Sequence, residues 1–291
     1  MHLAFLGLGQ IGGSVARAAA DSGFASHVSA WTPGGAGPAA ARGDGIAAAP
    51  SATEAIRGAD VIVLAAPPQA CLELLADLAG PLRSALAPDA VITDVASTKA
   101  AITARARALG LRFVGGHPMA GGEATGYRSA DPALFRDRPW VIVPAEPADQ
   151  AAEDRIVALA ASCGARPVRM TAADHDSAVA AISHLPLVVS AALVEAIADE
   201  PDWPAAAALA AGGWASMTRL ARGDAAMGAG IVATNGAAIG ARLRRLQAAL
   251  DAWLVLIDGD EHGAIDARAV EVRLETARRI VADELDGASS G

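Results

Sequence analysis

The stretch LAFLGLGQIGGS, residues 3–14, decides how this chain is read. An aliphatic run gives way to glycines spaced G-x-G-x-x-G at Gly7, Gly9 and Gly12, and the helix-like SVARAAADSG follows directly. Between a strand and a helix, such glycines have separate tasks: the first allows a tight turn, the second lets backbone approach a pyrophosphate, and the third lets the helix pack close to the strand. Gln10 and Ile11 fill the positions before the third glycine, where a helix N-terminus favours negative charge. The pattern therefore points to a dinucleotide held at Gly7, Gly9, Gln10, Ile11 and Gly12. A merely structural glycine turn is the competing reading, and the strand and helix on either side argue against it.

Outward from this unit, short aliphatic runs (HVSAW, VIVLAAP, AVITDV, RFVGGH, PWVIVP, RPVRM) alternate with longer alanine-rich stretches up to Met170. That alternation predicts βαβ units and a parallel sheet covered on both faces. From Thr171 on, no strand is evident and alanine-rich helical segments take over. The expectation is an α/β chain: a Rossmann-type doubly wound sheet over residues 1–170, then an all-helical domain over 171–291.

The end of the second aliphatic run bears on which dinucleotide binds. NAD sites carry an acidic residue there for the ribose diol, whereas this chain has Trp31 and Thr32. The missing carboxylate leans away from strict NAD and toward NADP, although no arginine stands beside Thr32 to meet a 2′-phosphate. Trp31 either packs near the adenine or is an ordinary strand-end aromatic.

Composition narrows the partners. A formal charge of −9 over 291 residues supplies no basic field for nucleic acid. No apolar run in the sequence approaches membrane-spanning length, and the glycine-broken start lacks the positive region of a signal peptide. Cys71 and Cys163 match no metal or redox spacing and read as small buried hydrophobes in a reducing cytoplasm. A small-molecule ligand is the remaining class, and an anionic one would need a local arginine.

Four clusters carry candidate chemistry. DVASTK (94–99) brings Asp94, Ser97 and Lys99 to the C-terminal end of a strand, where doubly wound sheets bind ligands. GGHPMAGGE (115–123) brings His117 and Glu123 to the same edge in what reads as a glycine-rich loop. ADHDSAVAAISHLP (173–186) holds His175 and His184, and GGWASMTRLARGD (212–224) holds Arg219.

With GLGQIGGS, these motifs in this order resemble the prephenate/arogenate dehydrogenase family of tyrosine biosynthesis over essentially the whole chain. The resemblance implies a Rossmann domain joined to a helical dimerisation domain, and hence a homodimer. It implies oxidative decarboxylation of a cyclohexadienyl substrate with hydride transfer to NAD(P)+. His117 matches the family's catalytic histidine, and Ser97 its hydrogen-bonded orienting serine. Arg219 matches the arginine for a substrate carboxylate, His184 a histidine near the substrate, and Glu123 a glutamate at the rim. His175 reads as support for the site, and Lys99 either lines the cofactor pocket or faces solvent. Leu187 stands where many members have a second histidine, a pattern resembling members that prefer arogenate. The resemblance is to members without a regulatory domain. The runner-up readings are another Rossmann-plus-helical oxidoreductase, of 3-hydroxyacid dehydrogenase or imine reductase type, and a nucleotide-sensing protein without turnover.

Overall fold

β1 (His2–Leu6), β4 (Val61–Leu64) and β5 (Val91–Asp94) are nearly continuous apolar runs because both faces of the sheet are covered. The period-two alternation of side chains divides them: Leu3, Phe5, Val61 and Val63 pack on one face, Ala4, Leu6, Ile62 and Leu64 on the other. In this computed structural model the described residues are 1–122, 124–259 and 262–289.

The sheet has eight strands in the order β3-β2-β1-β4-β5-β6-β7-β8. β2 is His27–Trp31, β3 Ala47–Ala48, β6 Phe113–Pro118, β7 Pro139–Val143 and β8 Arg166–Arg169. The helices α1 (Gln10–Asp21), α2 (Ala36–Ala40), α3 (Ala52–Ile56), α4 (Pro68–Ala79), α5 (Ala100–Ala108) and α6 (Gln150–Ser162) connect them. The strand order reverses beside β1, so the loops after β1 and β4 open a crevice at their C-terminal ends.

Two features depart from the all-parallel expectation. β3 is only two residues long and gives no hydrophobic signal of its own. β7 runs antiparallel to β6, pairing Gly115 with Val143 and His117 with Val141. A parallel return needs a helical crossover, and residues 119–138 supply only a short 3-10 turn, Tyr127–Ser129.

The helical part begins with α7 (Ala172–Val179), a π-helical turn at Ala180–His184, and α8 (Leu185–Ala198). α9 (Trp203–Ala208), α10 (Gly212–Met217), α11 (Ala225–Asp258) and α12 (Ala267–Ser289) follow. Contrary to the sequence reading, one run is long and apolar enough to cross a membrane by length and composition. Among the described residues it is the unbroken helix Ala172–Ala198, whose apolar 18-residue window has a mean hydropathy of 1.9. His184 and Pro186 made it look interrupted. In the structure Pro186 is the second residue of α8, directly after the π turn, whose wider hydrogen-bond spacing carries the helix past the missing N–H.

The chain forms two compact units, Met1–Ile239 and Gly240–Gly291. The second contains the end of α11 and α12, tied to each other by Arg273, which donates to the Ala249 carbonyl at 3.0 Å and lies 4.5 Å over the Trp253 ring. Leu250, Leu254, Val255, Val272, Ile280 and Val281 are all exposed in it.

Candidate active site

At the glycine loop the three glycines meet different surroundings. Gly7 has φ +102°, and a Cβ there would lie 2.2 Å from the Ala65 carbonyl oxygen; a Cβ on Gly12 would lie 2.6 Å from that of Ala65. Both glycines are required by packing between β1, α1 and the end of β4. A Cβ on Gly9, by contrast, would meet nothing within 4 Å. Gly9 is also the N-cap of α1, with no side chain capping the helix. Open backbone N–H groups at a helix start, with room above them, fit a pyrophosphate.

Gln10 and Ile11 face a neighbouring loop. The Gln10 side-chain oxygen accepts from Gly122 N at 3.4 Å, and the Ile11 methyl would touch a Cβ on Gly121. They thus join the nucleotide loop to the segment after His117. Trp31 packs against the apolar cluster under the sheet, and its carbonyl accepts from Gly7 N at 2.9 Å. The Thr32 carbonyl closes a turn with Gly35 N at 3.0 Å.

His117 lies within β6, one residue from its end, rather than in a loop. The glycines before it serve the sheet: a Cβ on Gly116 would lie 2.6 Å from the Asp94 carbonyl oxygen, and one on Gly115 would lie 3.1 Å from Val143 Cβ and 3.4 Å from Lys99 Cδ. Those positions are small so that β5, β7 and the Lys99 stem can close around the histidine.

The hydrogen bond expected from Ser97 to His117 is not made. His117 Nδ1 instead lies 2.8 Å from Nε2 of His175, whose Nδ1 lies 2.7 Å from the Asp176 carboxylate. Asp176 also accepts from the backbone N–H of Lys99 at 2.7 Å and of Ala100 at 2.9 Å, capping α5 from another helix. Ser97 is half-buried in the loop after β5, and among the described residues its hydroxyl has no hydrogen bond.

Lys99 is completely buried. Its ammonium contacts the Asp94 carboxylate and donates to the Gly116 carbonyl at 2.8 Å, one residue from His117. Asp94 further accepts from Gly116 N and Ala96 N at 3.1 Å each. Burial pushes the Asp94 carboxyl upward, against the Lys99 charge and these donors. Burial likewise holds His117 well below the ordinary imidazole value, reinforced by His175, Lys99 and His184. Asp176 moves the other way: burial works to raise it, but hydrogen bonds from His175, Ala100 and Lys99 prevail, so it stays ionised.

His184, at the end of the π turn, is buried, and burial lowers it to about 4. Its Nδ1 lies 3.1 Å from the side-chain nitrogen of Asn235, which also donates to the Asp176 carbonyl at 2.8 Å. Asn235 occupies the kink in α11, with φ −130° and ψ 22°. Thr98 and Thr234 meet at 2.8 Å, fastening the loop after β5 to the same helix. Leu187 packs in a small cluster with Ala180, Ile231 and Ile239.

The structure therefore gathers His117, His175, Asp176, Lys99, Asp94, His184 and Asn235 into one connected site. Arg219 is exposed at the turn after α10, and that turn is held on α8 where Ala221 N donates to Ser190 Oγ at 3.0 Å. Glu123 lies outside the described residues.

A nucleotide-type α/β domain with a polar cluster at its strand ends, continued by a helical segment that completes the cluster, defines a Rossmann-type nucleotide-binding protein with a histidine-bearing site. Residues 15–169 match the family model for the nucleotide-binding domain of prephenate dehydrogenase, and residues 171–264 match the model for its dimerization domain. The chain belongs to the prephenate dehydrogenase family.

It is 32% identical to prephenate dehydrogenase from Bacillus subtilis over 184 residues, 62% of this chain and 49% of that protein. The chain spans about half the length of the curated relatives it matches first. The crystal structure of Synechocystis arogenate dehydrogenase superposes with a TM-score of 0.78 at 30% identity, covering 98% of this chain and all of that one. Prephenate dehydrogenase from Aquifex aeolicus, crystallised with hydroxyphenyl propionate and NAD+, shares the fold with a TM-score of 0.83 at 23% identity, over 98% of each chain.

Proposed function

We propose that this protein is an NAD(P)-dependent dehydrogenase that oxidatively decarboxylates arogenate or prephenate. His117 carries the reading. It is an imidazole kept neutral, with Nδ1 engaged and Nε2 uncommitted among the described residues, at the strand end beside a nucleotide loop. A neutral imidazole so placed suits a general base.

A bound nicotinamide supplies the hydride acceptor for C4 of the cyclohexadienol. His117 Nε2 takes the proton of the 4-hydroxyl as that carbon becomes a carbonyl. The carbonyl then receives the electron pair released as the ring carboxylate leaves as CO2, and the oxygen is reprotonated as the ring becomes aromatic. Aromatisation makes the sequence irreversible, so the protein needs positioning and one well-held base.

Arg219 anchors a substrate carboxylate through its guanidinium fork, His184 donates to a substrate oxygen, and the free Ser97 hydroxyl meets the reacting end. Glu123 stands at the rim. Residues 1–170 carry the nucleotide and 171–291 the dimer contact of a cytoplasmic homodimer; the exposed apolar side chains of α11 and α12 support that assembly.

Two finer assignments belong to this proposal. Arogenate is favoured by Leu187, which gives packing contacts where many members carry a histidine, and by the likeness to an arogenate dehydrogenase. NADP is favoured by the absence of a carboxylate at Trp31 and Thr32. The test is initial rates of cofactor reduction with arogenate and prephenate, each against NAD+ and NADP+. Turnover should be fastest with arogenate and NADP+. A higher kcat/KM for prephenate or for NAD+ would overturn the corresponding assignment, and no reduction in any combination would overturn the proposed activity.

A further inference from the structure

We propose that His175, oriented by Asp176, is the positioning residue that fixes the tautomer of His117 and leaves its Nε2 as the proton acceptor. This rests on the proposed role of His117 as the base and adds the device that prepares it.

Donors and acceptors fix where each proton sits. An ionised carboxylate can only accept, so the 2.7 Å contact between Asp176 and His175 Nδ1 places a proton on that nitrogen. A neutral His175 then has a lone pair at Nε2. The atom 2.8 Å away is His117 Nδ1, which must therefore donate. With its proton at Nδ1, neutral His117 presents an unprotonated Nε2, the form a base requires.

The arrangement is held firmly. His175 is fully buried, and Asp176 is pinned by the first backbone N–H groups of α5 as well as by His175. The groups that bear on His117 are His175 from α7, Lys99 at the start of α5 and His184 from the π turn. Of these, only His175 touches its ring nitrogen. When Nε2 takes the substrate proton, the imidazolium remains bonded through His175 to the Asp176 carboxylate, a stabilising path that Lys99 does not offer.

The most direct test is nitrogen NMR of the imidazoles in the full-length protein with NADP+ bound. His117 should show a protonated Nδ1 and an unprotonated Nε2, and His175→Ala should shift its proton toward Nε2. A neutral His117 protonated at Nε2 in the unsubstituted protein overturns the inference, as does an unchanged His117 signature in His175→Ala. Neither reading depends on turnover, so failure of the proposed activity would be seen separately.

Kinetics supply the second arm. His175→Ala should lower kcat roughly 100-fold or more, with KM and NADP+ affinity little changed, and should alter the acid limb of the pH profile. His175→Gln, which keeps an acceptor near the position of Nε2, should recover much of that loss. Equal, large losses of kcat in folded Ala and Gln variants, or wild-type turnover in the Ala variant, would contradict a positioning role.

Discussion

The side-chain nitrogen of Asn235 lies 3.1 Å from Nδ1 of His184, and its second bond to the Asp176 carbonyl fixes it as the donor. His184 therefore carries its own proton at Nε2; that nitrogen is buried and completes no hydrogen bond of good geometry, the Ser97 backbone giving it only a weak contact. An unsatisfied buried donor costs stability until a ligand oxygen satisfies it. His184→Leu should leave the melting temperature unchanged or raised while KM for the cyclohexadienyl substrate rises roughly 10-fold or more. Thermal scans and steady-state kinetics on one preparation check both. A lowered Tm with normal KM would assign His184 to packing alone.

His117→Asn keeps a polar side chain at the end of β6 but removes the base. It should lower kcat by roughly two to four orders of magnitude and leave cofactor affinity intact. Because burial, His175, Lys99 and His184 all hold the imidazole neutral, the acid limb of wild-type kcat/KM should fall well below pH 6.5. A limb at or above the ordinary imidazole value would mean that a different group supplies the base.

The nucleotide loop separates folding from binding at neighbouring residues. Gly12→Ala puts a methyl against Ala65 and should cost about 1–3 kcal/mol of stability. Gly9→Ala meets no protein atom, so Tm should hold while affinity for the nicotinamide dinucleotide falls. Calorimetry with and without cofactor distinguishes them, and equal affinity in the Gly9 variant would remove that glycine from the binding site.

Stability should decline in mild acid. Unfolded, His184 protonates near 6.5; folded, it resists until about 4. Between those values the unfolded chain binds more protons, so stability is fully present above the window and is lost as pH falls through it. The loss is on the order of 3 kcal/mol if expressed in full. His117, lowered in the same direction, adds to it, and Asp176, lowered from 3.8, extends the loss to lower pH. Denaturant melts at pH 7 and pH 5 should show the difference, and His184→Leu should reduce it.

Much of this molecule was legible in its sequence for local reasons. The spacing of Gly7, Gly9 and Gly12 is dictated by one turn, and the doubly apolar strands by a sheet covered on both sides. The antiparallel β7 was readable only from an absence, since residues 119–138 contain no crossover helix. Lys99 was harder: a lone lysine ordinarily faces solvent, and only the convergence of Asp94 and the Gly116 carbonyl explains its burial. The partnership of His175 with His117 spans 58 residues and depends on how α7 meets β6, which no local pattern encodes. The uninterrupted helix through Pro186 was hidden because a π turn accommodates the proline.

In the proposed reaction, oxidation and decarboxylation occur together on one ring. The measurement that tests it most directly follows reduced nicotinamide, CO2 and aromatic product in the same reaction with arogenate. All three should form in equal molar amounts at every time. Reduced cofactor without matching CO2 and aromatic product would contradict that coupling and identify a simple hydroxyacid-type oxidation instead.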